Sequence, residues 1–486
     1  MSEIRQKALN AFIWRFSEKI VSHLINLSVT LFLARILMPN DYGLVAFAMI
    51  FVSIANVLII SGLNTSLIQK DNIDEIDTST LFYVTLIFSI VIYLAIYFFS
   101  PLISYLYGND EIINILRLLG LIIPISSYNS ILQAKVTRDL AFKKFFIATT
   151  SSAVVSGIIG LSMAAIGFGV WALVSQQISL VFLSTICLSL IVKWKPKFVF
   201  SLERYKQMRR FGFNMMMANL VGSLFSQLRN FLVGIKYTPS DLAFFTTADM
   251  FPAVISSNID TAVNNVLFPA LSKLQDNLEN VKFGLRRSMM VSSYVVLPIL
   301  LIISASADNL VIVLLTEKWM DCVPYIRVLA IGYCFGTLGN ANLQALNGIG
   351  RSDITFHLEF IKKPILLVIL ILSMQISPLA IAAGTSIYSV IALLINLYPN
   401  KKLINYGILE QLKDVFPQFC LATFVALFVF LVGFININIY LLLFLQLSIG
   451  FLSYLLLSHI FNMESYLYIK DILKEKGIIS INKKQQ

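Results

Sequence analysis

Arg15, Glu18, Lys19, Ser22, His23, Asn26 and Thr30 sit at helical spacing inside an otherwise apolar run. A helix turns about 100° per residue, so these side chains share one arc of about 140°. Further on, Asn219, Ser223, Ser226, Gln227 and Asn230 make a second stripe, with Arg229 on its flank. Asp249, Ser256, Asp260 and Asn264 mark a third, on a segment that Pro252 kinks, and Asn56 and Asn64 take the matching places of an earlier segment. A charge in hydrocarbon costs at least ~2.5–3.5 kcal/mol, so stripes of this kind face a cavity inside a protein rather than lipid. A carboxylate in such a cavity commonly handles a proton or a cation, which makes Glu18, Asp249 and Asp260 candidates for ion coupling. Plainer roles fit some of these residues too. Arg15 and Lys19 also suit snorkelling to the interface, and Asp260 suits a hydrogen bond to a neighbouring helix.

The elements that position these stripes are membrane helices. The chain has 486 residues, is 58% hydrophobic and 13% charged, and has a mean hydropathy of +0.81. Soluble domains average roughly 25% charged residues, so this composition suits lipid. Crossing a bilayer takes about 20 mostly apolar residues. Windows of that kind fall near 12–34, 43–63, 80–105, 112–132, 145–166, 170–192, 213–235, 243–268, 289–305, 324–346, 354–373, 378–398, 417–435 and 438–461. The first is too long and too polar for a cleaved signal and reads as a retained helix. With the N-terminus inside, 29 lysines and arginines lie at the inner face, Lys362 and Lys363 among them, against 3 outside (Arg35, Lys236 and Lys318). The positive-inside rule therefore supports fourteen helices with both termini cytoplasmic. It also accounts for the net charge of +11 without a nucleic-acid partner. The scattered cysteines and histidines show no metal-ligand spacing. "DNIDEID" at 71–77 reads as a solvated acidic loop, and the absence of a P-loop disfavours ATP hydrolysis.

The stripes repeat because the chain does. At a shift of 200, Lys19 meets Asn219, His23 meets Ser223, Asn26 meets Ser226, Thr30 meets Asn230, Pro39 meets Pro239 and Asp41 meets Asp241. At 210, Arg117 meets Arg327 and Ser130 meets Asn340, and "LQA" at 132–134 recurs at 343–345. Six helices per unit is an even number, so the two lobes relate by an axis along the membrane normal. The expected fold is all-α and integral to the membrane. It has an N-lobe at 1–192, a hinge-like cytoplasmic linker at 193–212 and a C-lobe at 213–398. Two further helices follow at 399–461, then a basic cytoplasmic tail at 462–486. The polar faces of the first and seventh helices would line a shared central cavity. The Pro-Asn-Asp-Tyr-Gly corner has turn chemistry and suits an external turn. Arg35 and Asp41 there, and Arg117 and Arg327 near outer helix ends, serve either as gate or interface residues or as plain anchors.

The corner "LARILMPNDYGL", followed by "SLIQKDNIDEIDTSTLF" at 66–82, resembles the Wzx-type polysaccharide exporters of the multidrug/oligosaccharidyl-lipid/polysaccharide superfamily. The likeness runs the whole length through the twelve-plus-two layout. It implies a non-enzymatic flippase in a bacterial inner membrane. Its substrate would be an undecaprenyl-diphosphate-linked oligosaccharide, moved by alternating access for cell-surface polysaccharide assembly. Membrane lipids, a polysaccharide polymerase and other assembly proteins would be its partners. No cofactor is implied beyond a coupling proton or sodium ion. On that reading Arg15, Lys19 and Arg229 attract the diphosphate. Asn26, Asn219, Ser226, Gln227 and Asn230 line the glycan path, His23 belongs to the same cavity, and Glu18, Asp249 and Asp260 handle the ion. A cation-coupled multidrug exporter of the same architecture would favour a carboxylate-rich cavity over an arginine-bearing one. A membrane polymerase or ligase usually carries a large catalytic loop, and the longest external loop expected here, 306–323, is short.

Overall fold

A backbone in lipid has no water to bond to, so long apolar runs close their hydrogen bonds within helices. The computed structural model describes residues 2–60, 64, 66, 67, 73–274 and 277–475. Its helices begin with α1 (Ser2–Ile36), α2 (Pro39–Ile60), α3 (Glu75–Tyr107), α4 (Glu111–Gly120), α5 (Ile122–Arg138), α6 (Phe142–Ile166) and α7 (Val170–Val192). Next come α8 (Leu202–Lys236), α9 (Pro239–Lys273), α10 (Leu278–Ala305), α11 (Ala307–Leu314), α12 (Cys322–Gly348), α13 (Ser352–Ser373) and α14 (Pro378–Leu397). The chain closes with α15 (Asn400–Leu403), α16 (Ile408–Val432), α17 (Ile439–Ile460) and α18 (Glu464–Glu475). Eleven stretches of the described chain, α4 with α5 and α14 with α15 each counting together, are long and apolar enough to cross a membrane. The long helices α8, α9 and α13 are outside that set.

By packing, the chain forms two compact units, Met1–Ala243 and Phe244–Gln486. In the first, α6 lies against α1 and α7, and α2 packs on α5 and α8. Glycine makes the first of these contacts close: a Cβ on Gly157 of α6 would stand 2.5 Å from a methyl of Val29 on α1. In the second unit, α10 lies against α12 and α16, and α14 against α12 and α13. The core there includes Leu285, Leu297, Ala341, Val425 and Tyr454.

Four local structures differ from the sequence expectation or add to it. First, the described part of the acidic stretch is not a solvated loop. Asp74 and Asp77 cap α3 reciprocally, with Asp77 N donating to Asp74 Oδ1 at 2.8 Å, and Asp77 is fully buried. Residues 71 and 72 lie outside the described set. Second, the stretch 193–201 is strapped along the start of α3. The backbone N–H groups of Lys197 and Ser201 donate to Ser79 and Thr80 (both 3.1 Å), and Arg204 reaches Asp74 at 3.2 Å. The carboxylates at the start of α3 are thus matched by linker cations, Lys197 pairing with Glu75 as well. Third, Lys362 and Lys363 lie in the middle of α13 rather than at its inner end, and buried Lys362 pairs with Glu359. Fourth, the expected tail begins with a helix, α18, which Arg286 clamps through two bonds to Glu464 (2.9 and 2.8 Å). Residues 476–486 lie outside the described set.

Candidate functional site

Along α1, Glu18, Ser22 and Asn26 recur every fourth residue and so share one face. In the first unit that face opens on a cavity of about 330 Å³. Asn56 of α2 lines it, with Ser126, Asn129 and Gln133 of α5, Thr149 of α6 and Ser184 of α7. This is near the lower end of the ~300–1,000 Å³ typical of small-molecule sites. Glu18 is only 7% exposed. Its Oε1 accepts from Thr149 Oγ1 (3.2 Å) and its Oε2 from Arg15 Nη1 (3.0 Å). The Arg15 guanidinium lies over the Phe145 ring, 4.8 Å from its centroid.

The far wall is preorganised by amides. Asn129 Nδ2 donates to Thr185 Oγ1 (2.8 Å) and Ser184 Oγ (3.3 Å), and Gln133 Nε2 donates to Asn129 Oδ1 (2.7 Å). The Oδ1 of Asn56 is buried and accepts no hydrogen bond among the described residues. Such an acceptor is costly to leave empty, by about 1–3 kcal/mol. The cavity thus offers one partnered carboxylate and many neutral donors and acceptors. That set suits a hydroxyl-rich ligand, or a cation held mainly by oxygen atoms.

The other residues singled out from the sequence take several positions. Lys19 is half-buried on α1, and His23 is exposed one turn further on. On α8, Asn219 and Ser226 are exposed, while Gln227, Arg229 and Asn230 are half-buried. Asn230 Nδ2 donates to Gln227 Oε1 (3.1 Å), and Ser226 Oγ to the Ser223 carbonyl (2.8 Å). No α8 residue is among those lining the Glu18 cavity. Arg35 is exposed at the end of α1, and Asp41 Oδ2 accepts the Met38 N–H (3.1 Å). Arg117 donates to Ser100 Oγ (3.1 Å) and lies 4.2 Å from the Tyr97 ring centroid. Arg327 pairs with Asp308 and faces Phe430.

The second unit has a polar seam of its own between α9 and α12. Tyr333 Oη donates to Asp249 Oδ1 (3.0 Å), Ser256 and Thr337 share a hydrogen bond (2.6 Å), and Asn340 Nδ2 donates to Asn264 Oδ1 (3.2 Å). Asp260 stands beside Asn340, Thr337 and Ser256. Its Oδ1 is buried with no donor in bonding geometry among the described residues.

Sequence reasoning missed Ser126, Asn129, Gln133, Thr149 and Ser184 as site residues. A signal was present on α5, where Ser126, Asn129 and Gln133 fall at helical spacing within an apolar window.

Each of the two units thus carries polar side chains between apolar helices. The fold resembles that of the lipid II flippase MurJ in an inward closed conformation, with a TM-score of 0.76 at 16% identity over 93% of this chain and 98% of that one. It also resembles an inward-facing multidrug resistance MATE family transporter of the MOP superfamily, at 0.63 and 15% identity over 81% of this chain and 98% of that one. Residues 32–324 match the family described as "Polysaccharide biosynthesis protein", and the chain belongs to that family. Among its relatives, the succinoglycan biosynthesis transport protein ExoT of Rhizobium meliloti is 24% identical over 68% of this chain and 67% of its own length. The lipopolysaccharide biosynthesis protein WzxC of Escherichia coli strain K12 is 21% identical over 74% of this chain and 73% of its own length. The chain is a multi-pass membrane protein.

Proposed function

We propose that this protein is a flippase that carries an undecaprenyl-diphosphate-linked oligosaccharide across the bacterial inner membrane by alternating access, as a transporter rather than an enzyme. The observation that carries this reading is the Glu18 cavity, a set of hydroxyls and amides with a single carboxylate inside a membrane unit. Sugar hydroxyls both donate and accept, and amides and hydroxyls answer both roles. Family membership and the names of the relatives point the same way, towards export of surface polysaccharide.

On this reading α8, α9 and α13 also cross the bilayer, which makes fourteen crossings with both termini cytoplasmic, as the placement of basic residues favours. The lobes follow the sequence repeat, 1–192 and 213–398, with 399–461 appended. By packing, α8 groups with the first compact unit although it begins the second repeat. Arg15, Lys19 and Arg229 draw the diphosphate, while His23, Asn26, Asn219, Ser226, Gln227 and Asn230 extend the glycan path. Glu18, Asp249 and Asp260 couple the cycle to a proton or sodium gradient. A polymerase and other assembly proteins take over the product on the far side.

Deleting the gene and locating the lipid-linked intermediate tests the reading. The intermediate is expected to accumulate in the inner leaflet, with relief by the wild-type chain and not by Asn129→Leu. Loss of synthesis, or of polymerisation alone, would replace the flippase by an enzyme.

A further inference from the structure

Away from the polar seams, the second unit holds a larger cavity of about 540 Å³. It lies where α16 meets Arg286 and Met290 of α10 and the elbow between α17 and α18. One end of its wall is charged. Arg286 donates to Asp414 (3.0 Å) and to both oxygens of Glu464, so these three side chains satisfy one another. Lys413 is exposed beside them and makes no ion pair among the described residues. Two cations and two carboxylates leave this rim without net charge.

The rest of the wall is apolar. Leu421 and Phe424 follow Lys413 along α16, and Phe461 lines the cavity from the elbow. From Lys413 to Phe424 a helix rises about 16 Å, enough to lie alongside much of one acyl chain. Phe424 and Phe461 are both more than half exposed, so the cavity is open along this apolar side. One polar atom in the wall stays unmatched. Gln418 is only 2% exposed and donates its Nε2 to Ser465 (2.7 Å), yet its Oε1 is buried with no donor among the described residues. An occupant of this cavity should bring a hydrogen-bond donor next to its charged end.

We propose that the cavity seats one glycerophospholipid with a phosphoethanolamine headgroup. Its phosphate pairs with Lys413, its ammonium donates to Gln418 Oε1 near the Asp414 and Glu464 carboxylates, and an acyl chain lies along Leu421 and Phe424. Charge balance selects this headgroup. A net-neutral rim matches a zwitterion, whereas an anionic headgroup would set a surplus negative charge beside Asp414 and Glu464. Glu464 and Ser465 open α18, so the lipid seat forms only where that helix is docked. The seat stands apart from transport and holds whatever the substrate proves to be.

The test uses the full-length chain, stripped of lipid in detergent, and native mass spectrometry. Dioleoyl phosphatidylethanolamine, dioleoyl phosphatidylglycerol and undecaprenyl phosphate are titrated separately against wild type, Lys413→Ala and Gln418→Leu, with lipid-free melting temperatures confirming the fold. The expected result is one phosphatidylethanolamine per chain, bound about tenfold more tightly than phosphatidylglycerol. Lys413→Ala should weaken it about tenfold, the size of one lost charge-assisted hydrogen bond, and Gln418→Leu should narrow the headgroup preference. Equal binding of the two phospholipids, tighter binding of undecaprenyl phosphate, or an unchanged affinity in Lys413→Ala each overturns the assignment. Should Gln418→Leu fail to fold, Lys413→Ala decides alone, because its side chain is exposed.

Discussion

The corners at 36–43 and 236–243 are built alike, and the polar seams behind them are not. In the first corner Asp41 Oδ2 accepts the Met38 N–H at 3.1 Å, and in the second Asp241 Oδ2 accepts the Thr238 N–H at 3.1 Å. Each aspartate holds the last link before its helix, α2 or α9, and a proline opens that helix in both cases. Proline at a first helical position costs nothing, since its missing N–H would have no partner there. The seams divide the labour differently. In the first unit the carboxylate comes from α1, and Glu18 is already bonded to Arg15 and Thr149. In the second unit the carboxylates come from α9, and Asp260 keeps one oxygen without a donor among the described residues. The backbone corner recurs at a shift of 200 residues, while the buried polar chemistry differs between the two units.

The largest expected effect breaks the likeness of the corners. Gly43 and Ala243 occupy matching places, but the α2 backbone at Gly43 lies so close to the second corner that a Cβ would stand 1.7 Å from the Pro239 carbonyl oxygen. Backbone cannot step aside as a side chain does, so Gly43→Ala is expected to cost about 3 kcal/mol or more. Ala243→Gly removes one buried methyl and adds chain entropy, for about 1–2 kcal/mol. Denaturant or thermal unfolding of both variants in detergent ranks them. Equal costs would mean that the corners do not meet in this way.

Next in size is a contrast between the seams. Glu18→Gln keeps shape but removes the charge that Arg15 answers, and transport by complementation is expected to fall about tenfold. Asp249→Asn together with Asp260→Asn is expected to lower transport less, by about threefold, while abolishing its response to collapse of the ion gradient. If the double variant keeps full gradient dependence, the second seam has no part in coupling. If Glu18→Gln is silent, the first seam has no part in transport.

How much of this was legible in the sequence depended on whether the physics was local. Both corners are legible as corners, but the expected turn at Pro39–Gly43 is the first turn of α2, and α2 and α9 start at Pro39 and Pro239 rather than at 43 and 243, because proline suits a first helical position as well as a turn. The α1 stripe was readable because three- and four-residue spacing is a property of one helix. What completes the cavity is not local: Asn129 and Thr149 matter because α5 and α6 come alongside α1, and that approach depends on Gly157 admitting Val29. The acidic stretch at 74–77 looked solvated because its cations, Lys197 and Arg204, lie more than a hundred residues away. Lys362 is counted at the inner face on the positive-inside rule, although its own apolar window, 354–373, places it in mid-helix. Its burial depends on Glu359 one turn earlier, a pairing that spacing alone permits but does not require.

The smallest effect sharpens the corners further. Thr238 does more than Met38: its Oγ1 accepts the Asp241 N–H (3.2 Å) and donates to Asp241 Oδ2 (2.7 Å), which closes a reciprocal box that methionine cannot form. At position 38 the Asp41 N–H turns instead to the Met38 carbonyl (3.1 Å). Met38 is exposed, so replacing it sacrifices little packing. Met38→Thr should therefore stabilise the chain by about 0.5 kcal/mol, and Thr238→Met should destabilise it by about 1 kcal/mol. Both shifts are readable as melting temperatures of purified protein. Opposite signs at matching positions would confirm that one corner carries the full cap and the other half of it, and a destabilising Met38→Thr would show that the first corner cannot accept the second corner's geometry.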